Sequence, residues 1–275
     1  MNWLSAVEAL RRERRTGVLV TLVSVRGHAP REPGAKMVVA ADATWDSIGG
    51  GNLEATAIAQ ARHMLAEPTG VPELLSLSLN DKAPAEYGVQ CCGGEVSILL
   101  EPLAVVPSVA VFGMGHVGQE LARILTRHDI ELHLVDSRAD QIGPEAMTAV
   151  TAEAVAHVHV HHAPVPELAL GQVPPGTHVV ILTHDHAEDV ALCDMALRCT
   201  HLGSVGLIGS SAKWSRFRTR LLAEGHSAEA LDRIKTPIGL PDITGKTPAA
   251  IAVSVAADLV RTFERDRAAA TAADR

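Results

Sequence analysis

Two cysteines stand side by side at Cys91 and Cys92, ahead of Gly93, Gly94 and an apolar run, EVSILLEP, that reads as a strand. A disulfide between adjacent residues would strain the short peptide that joins them, because the bridge has a specific geometry. Both therefore read as free thiols, and a thiol offers the chemistry of a nucleophile or a metal ligand. A second set of residues suits phosphates. Gly113, Gly115 and Gly118 have GxGxxG spacing after the run VAVF, and Asp136 ends the next such run. Glycines there allow a tight turn and close backbone approach, the helix N-terminus offers N–H groups to a phosphate, and the acid is placed to hold ribose hydroxyls. A third set is Gly49, Gly50 and Gly51, followed by Asn52 and Glu54. It either points successive N–H groups inward as an anion nest or makes a tight strand-to-helix turn with Asn52 as N-cap. Arg31 and Lys36, with His28, lie in RGHAPREPGAK, a loop too rich in Pro and Gly for a regular element, where they present two cations to an anionic ligand or simply to solvent.

Fourteen histidines raise the question of metal binding. In HVHVHH, residues 157–162, alternation puts His157, His159 and His161 on one strand face. Zinc would also need carboxylate or thiolate partners, which the segment lacks, so it reads as an exposed strand face. His184 lies in THDH, residues 183–186, at the C-terminal end of an expected parallel strand, where open α/β sheets bind ligands. Asp185 as a helix N-cap between two loop histidines accounts for the same residues. Cys193 and Cys199 fall in the helical pattern DVALCDMALRCT and read as small packed hydrophobes.

The elements that position these groups alternate along the chain. Trp3, Leu4, Val7 and Leu10 have helical spacing, and GVLVTLVSV is a β-branched strand run. MVVA, ELLSLSL and EVSILLEP read as further strands, and a strand end beginning TWD runs through the three glycines into a helix. LAVVPS looks like a linker, with the boundary near Val106. Beyond it, the expected order is a strand at 109–112, a helix to His128, a strand ending on Asp136, a strand at 178–183, a helix from Asp185, a strand at 205–209 and a helix from Ser210 to Glu224. Thr247 and Pro248 suit the N-cap and first position of a last helix with Ile251, Ala252, Val255 and Leu259 on its apolar face. The expected fold is α/β: an N-terminal α/β domain over residues 1–104, then a Rossmann-like parallel-sheet domain over 107–265 with a C-terminal docking helix.

The 275 residues are 47% hydrophobic and 20% charged, a soluble globular mix, with the core filled by aliphatic residues and Ala because aromatics are only 3%. The net charge of −8 and the lack of a Lys/Arg stripe with interleaved aromatics argue against a nucleic-acid partner. No apolar run reaches membrane-spanning length, and the N-terminal basic cluster follows the apolar residues, the reverse of a secretory signal. The expectation is a cytoplasmic protein with small-molecule or protein partners.

Seven stretches in order carry a resemblance that no one of them carries alone: GHAPREPGAKM at 27–37, GGGNLE at 49–54, CGGEV at 92–96, VFGMGHVG at 111–118, HDHAEDVAL at 184–192, GLIGSSAK at 206–213, and PIGLPDITGKTPAAIAVSVAADLV at 237–260. The sequence resembles the xanthine dehydrogenase accessory proteins, the XdhC/CoxI group. The resemblance implies a chaperone with no turnover of its own. Such a chaperone binds molybdenum cofactor, as molybdopterin or its cytosine dinucleotide, supports its sulfuration with a cysteine desulfurase, and delivers it to a molybdenum hydroxylase of xanthine dehydrogenase type. It also implies a homodimer, and it maps the CGG element onto Cys92, Gly93 and Gly94, with Cys92 as the thiol that meets molybdenum and sulfur. The competing expectation is an NAD(P)-dependent oxidoreductase resting on the glycine fingerprint and Asp136, with His184 or Asp185 in proton transfer.

Overall fold

Asn2 accepts a hydrogen bond from the Ser5 N–H and so caps α1 (Trp3–Glu13), whose Ala6, Ala9 and Leu10 are buried. The computed structural model describes residues 1–67, 70–79 and 94–272. After α1 come β1 (Gly17–Arg26), β2 (Lys36–Val39), β3 (Thr44–Asp46), α2 (Gly51–Ala66), β4 (Glu73–Ser78) and β5 (Glu95–Leu103). The five strands form one antiparallel sheet in the order β3-β2-β1-β5-β4. Alternation along the strands sorts its two faces. Val18, Val20, Leu22, Met37 and Val39 pack against Leu53, Ala57, Ala61 and Met64 of α2. Leu19, Val38 and Ala40 pack with Ala6 and Leu10 of α1.

The chain divides into two compact units, Met1–Val105 together with Arg265–Arg275, and Val106–Glu264. The second unit holds β6 (Ser108–Phe112), α3 (His116–Leu125), β7 (Glu131–Asp136), α4 (Ala139–Ile142), α5 (Pro144–Thr151), β8 (His157–His162), a 3-10 turn (Pro166–Gly171), β9 (His178–Ile181), α6 (His186–Arg198), β10 (Val205–Leu207), α7 (Ser211–Ala223), α8 (Ala228–Leu231) and β11 (Ile234–Lys235). All its strand pairs are parallel, in the order β8-β7-β6-β9-β10-β11. That is the Rossmann order, with its switch point between β6 and β9. A parallel sheet is covered on both faces, and here one face packs on α6, α7 and the 3-10 turn while the other packs on α3 and α5.

The last helix, α9 (Pro248–Ala272), starts where Thr247 Oγ1 accepts from the Ala250 N–H. It lays Ala252, Val255, Ala256 and Leu259 into the α3 face of the parallel sheet, so this helix docks on the Rossmann unit. The fold is thus α/β, antiparallel in the first unit and Rossmann-type in the second. Among the described residues no helix is long and apolar enough to cross a membrane.

Two glycines set how closely α3 approaches β6. A Cβ on Gly118 would sit 2.0 Å from the Gly113 carbonyl oxygen, and one on Gly113 would sit 2.5 Å from the Leu182 carbonyl oxygen just past β9. Gly118→Ala is therefore expected to push α3 off the sheet and to destabilise the second unit by about 1–3 kcal/mol, as overpacking does. Urea unfolding measures this as a lower midpoint with little change in slope.

Candidate functional site

The turn after β6 carries the phosphate-type features of the second unit. Gly113 has φ +105, which a side chain disfavours, and Gly113 and Gly118 are both filled against backbone. Gly115 differs. It caps α3 with φ −70, and a Cβ there would meet only the Arg138 guanidinium at 4.0 Å. Neither packing nor backbone conformation requires glycine at 115. Across the switch point, Thr183 follows β9 against Gly113, and the exposed His184 comes next. Asp185 caps α6 by accepting from the Ala187 N–H, so His186 is helical and only His184 remains a loop histidine.

Asp136 is placed differently from its expected role. It is 3% exposed, and its carboxylate accepts from the N–H of Met114, the N–H of Arg138 and the Arg138 guanidinium through two nitrogens. Each carboxylate oxygen thus takes two hydrogen bonds, which fills the acceptor capacity of the group. As folded, no acceptor site is left for a ribose diol. The sequence expectation for Asp136 is corrected accordingly: the acid ties β7 to the glycine turn and holds Arg138 beside Gly115. Arg138, two residues past the strand end, went unnoticed because only its partner matched a fingerprint.

Behind His184 lies a second charged group that sequence reasoning missed. Asp189 is fully buried, accepts from the Thr183 N–H and hydroxyl, and pairs with Lys213, whose ammonium also donates to the Ile208 carbonyl. This pair fastens the C-terminal ends of β9 and β10 together. Cys193, on the same helix as Asp189, is buried, and burial first, with the Asp189 charge, pushes its thiol up to about 12. Burial also raises Cys199. Both behave as packed hydrophobes, as expected.

In the first unit three of the recognised segments meet. A Cβ on Gly49 would lie 2.5 Å from Pro30 Cγ and 3.5 Å from Arg31 Cγ. One on Gly94 would lie 2.3 Å from the His28 carbonyl oxygen and 2.8 Å from that of Arg26. The His28–Arg31 loop therefore sits against both the triple-glycine turn and the glycine that ends the CGG element. Leu79 donates to the Gly94 carbonyl at 2.7 Å, closing β4 onto β5, and a cleft of about 360 Å³ nearby is lined by Ser24, Arg26, Ser76, Ser78, Glu95 and Ser97. Cys91, Cys92 and Gly93 lie outside the described residues.

Gly49, Gly50 and Gly51 have φ of +129, +74 and +63, and Gly50, not Asn52, is the N-cap of α2. Their inward N–H groups already have acceptors: Gly49 donates to Ser47 Oγ at 3.1 Å, and Gly50 donates to the Glu54 carboxylate at 3.0 Å. Ser47 donates to the same carboxylate at 2.6 Å. The nest is thus occupied by the chain's own anion, Glu54, four residues after Gly50. Arg31 is exposed. Lys36 does not join it, because strand alternation turns it to the α1 face, where it donates to Thr21 Oγ1 at 2.8 Å and lies 5.5 Å from the Trp3 ring centre. The two-cation reading of the loop is corrected to one.

The histidine face of β8 also differs from expectation. The carboxylate that HVHVHH lacks is supplied by Glu131 of β7, which bonds His157 and His159.

Burial alone would raise the Asp136 carboxyl, but the Arg138 guanidinium and the N–H groups of Met114 and Arg138 outweigh it and hold the group below its ordinary value. A carboxyl lowered in the folded state contributes stability that is complete above its unfolded value, about 3.9, and that is lost as pH falls through the folded value. Asp136→Asn is therefore expected to lose about 1–3 kcal/mol at neutral pH. Its unfolding free energy should also fall less steeply with acid below about pH 4 than that of the wild type. Urea midpoints across pH 2.5–7 (roughly the span over which the carboxyl titrates) measure both.

Comparison with known proteins agrees with this architecture. A family model described as the XdhC Rossmann domain matches residues 109–259, more than half of the chain, and one described as the XdhC and CoxI family matches residues 10–77. The uncharacterized protein YqeB of Escherichia coli (strain K12) is 26% identical over 262 residues, covering 95% of this chain and 46% of YqeB, so the chain spans a little under half of that relative. The molybdenum cofactor insertion chaperone PaoD of Escherichia coli (strain K12) is 26% identical over 265 residues, covering 86% of this chain and 80% of PaoD. A crystal structure described as a xanthine dehydrogenase from Bacillus halodurans aligns over 97% of each chain at 19% identity and a TM-score of 0.47. With the family models accounting for both the antiparallel unit and the parallel one, this protein belongs to the XdhC and CoxI family.

Proposed function

We propose that this protein binds molybdenum cofactor and inserts it into a molybdenum hydroxylase of xanthine dehydrogenase type. The observation that carries this reading is the meeting, in the first unit, of the His28–Arg31 loop with the Gly49 turn and with Gly94. Cys92 precedes Gly94 by two residues in the sequence. A soft thiolate beside Gly93, whose missing side chain lets a bulky ligand approach, suits molybdenum and sulfur. Arg31, Gly51 and Gly93 are then contacts for the pterin phosphate, and Gly115 and His184, with Arg138, for the anionic part of a cytidine nucleotide where the cofactor has one. Family membership and the likeness to PaoD support the same reading. Its finer parts follow the resemblance: a cysteine desulfurase is the sulfur source, and the chain works in the cytoplasm as a homodimer with no turnover of its own. The filled carboxylate of Asp136 counts against a nicotinamide oxidoreductase, which would use that acid on the ribose.

Two measurements test this. Anaerobic loading with purified molybdenum cofactor should leave Cys92→Ser with at most about a tenth of the molybdenum per chain found in the wild type, while Cys91→Ser retains most of it. Serine keeps the volume but is a poor soft-metal ligand, so equal loading in all three folded proteins removes the thiol from the mechanism. Gly115→Ala has room for its methyl group and should fold normally. It should weaken CDP binding by about 1–3 kcal/mol through loss of a close hydrogen bond. Unchanged CDP affinity would assign the fingerprint to packing alone.

A further inference from the structure

The two strands at the β8 edge of the parallel sheet bring a carboxylate and a row of imidazoles onto one face. In the parallel register Glu131 is opposite His157, His133 opposite His159, and Val135 opposite His161. Alternate residues share a face, so Glu131 and His133 of β7 lie beside His157, His159 and His161 of β8. Glu131 Oε2 is 2.7 Å from His159 Nε2 and 3.1 Å from His157 Nδ1, and the three ligand atoms all lie within 4.8 Å of one another. The His159 ring stacks on His133 at 4.6 Å between centres, and His133 Nδ1 is 3.2 Å from His161 Nε2. Both contacts hold the imidazoles in place from behind.

From this geometry we propose that Glu131, His157 and His159 form a binding site for a divalent transition metal ion of the zinc class. Two imidazoles and a carboxylate are a donor set that zinc accepts, with bonds of about 2.0–2.2 Å that set neighbouring ligand atoms about 3.3 Å apart. The observed spacings need only small side-chain rotations to reach that value. The ion takes the place of the hydrogens now shared between the imidazoles and the carboxylate, and water fills the fourth position. Glu131 is 7% exposed while the side chains of His157 and His159 are 66% and 35% exposed, so the carboxylate is fixed and the ion enters from solvent past the histidines.

The site is distinct from the nucleotide turn. Glu131 begins β7 and Asp136 ends it, which separates the cluster from the acid beside the glycines by about 16 Å along the strand. Bound metal would staple β8, the exposed edge, to β7.

The test uses the full chain without a histidine tag, stripped with chelator and titrated with zinc chloride by calorimetry. The wild type should take up an equivalent of zinc that is lost, or weakened at least tenfold, in the His157→Ala/His159→Ala double variant and in Glu131→Gln, while Gly115→Ala retains it. Cobalt in the same site should show no thiolate charge-transfer band. If Glu131→Gln does not fold, the double variant of two partly exposed residues decides alone. Zinc uptake unchanged in the double variant, or no stoichiometric uptake by the wild type, overturns the proposal.

Discussion

The contact of Gly118 with the Gly113 carbonyl is the constraint from which the second unit's chemistry is arranged. An approach too close for any side chain brings the N-terminus of α3 onto the end of β6, and the same Gly113 is pressed on its other side by the chain leaving β9. The turn is therefore fixed from two directions at the switch point of the sheet. The Met114 N–H is consequently aimed at Asp136, whose carboxylate then orients Arg138 next to Gly115. Arg138 is thereby held beside the glycine turn by a buried carboxylate. A group fixed on such rigid elements is preorganised, which lowers the ordering entropy of any contact it makes.

The first unit uses the same device for a different end. Gly49 and Gly94 each accept the backbone or side chain of the His28–Arg31 loop at distances that exclude a Cβ. The glycines of the two motifs thus both pack on this loop, whose exposed Arg31 side chain lies near Gly49. Glu54 completes the turn by accepting from Gly50 and Ser47.

The α/β order was legible because periodicity is local: alternating runs, glycines and caps such as Thr247 and Asp185 declare themselves within a few residues. The roles of Gly113 and Gly118 were likewise readable from spacing. What escaped depended on pairings across space. Strand alternation, set by the register of β2, turned Lys36 toward Trp3. Asp136 matched a fingerprint while its saturation by Arg138 rested on a side-chain rotamer. Glu131 meets His157 and His159 only through a parallel pairing of strands 26 residues apart in sequence, so a search confined to HVHVHH could not find the carboxylate. The direction of the first sheet was equally silent, since β-branched runs form parallel and antiparallel sheets alike.

The environments of Cys193 and Cys199 bear on which thiol does chemistry. Reactivity belongs to the thiolate, and desolvation suppresses it. Cys193, packed among Leu192, Ala196 and Leu221 with the Asp189 carboxylate nearby, is held protonated at any ordinary pH, and Cys199 is shifted the same way. Cys193 is therefore not available to a soft metal or to a sulfur donor. Metal capture at the β7–β8 edge rests on nitrogen and oxygen donors, a harder set than thiolate and poorly matched to sulfur transfer. The proposed handling of molybdenum and sulfur therefore rests on Cys91 and Cys92, of which Cys92 stands two residues before Gly94, the glycine packed on the His28 carbonyl. Cations lower a thiol's pKa, so on the proposed reading the exposed Arg31 of the His28–Arg31 loop is a group in the first unit suited to keep such a thiol reactive.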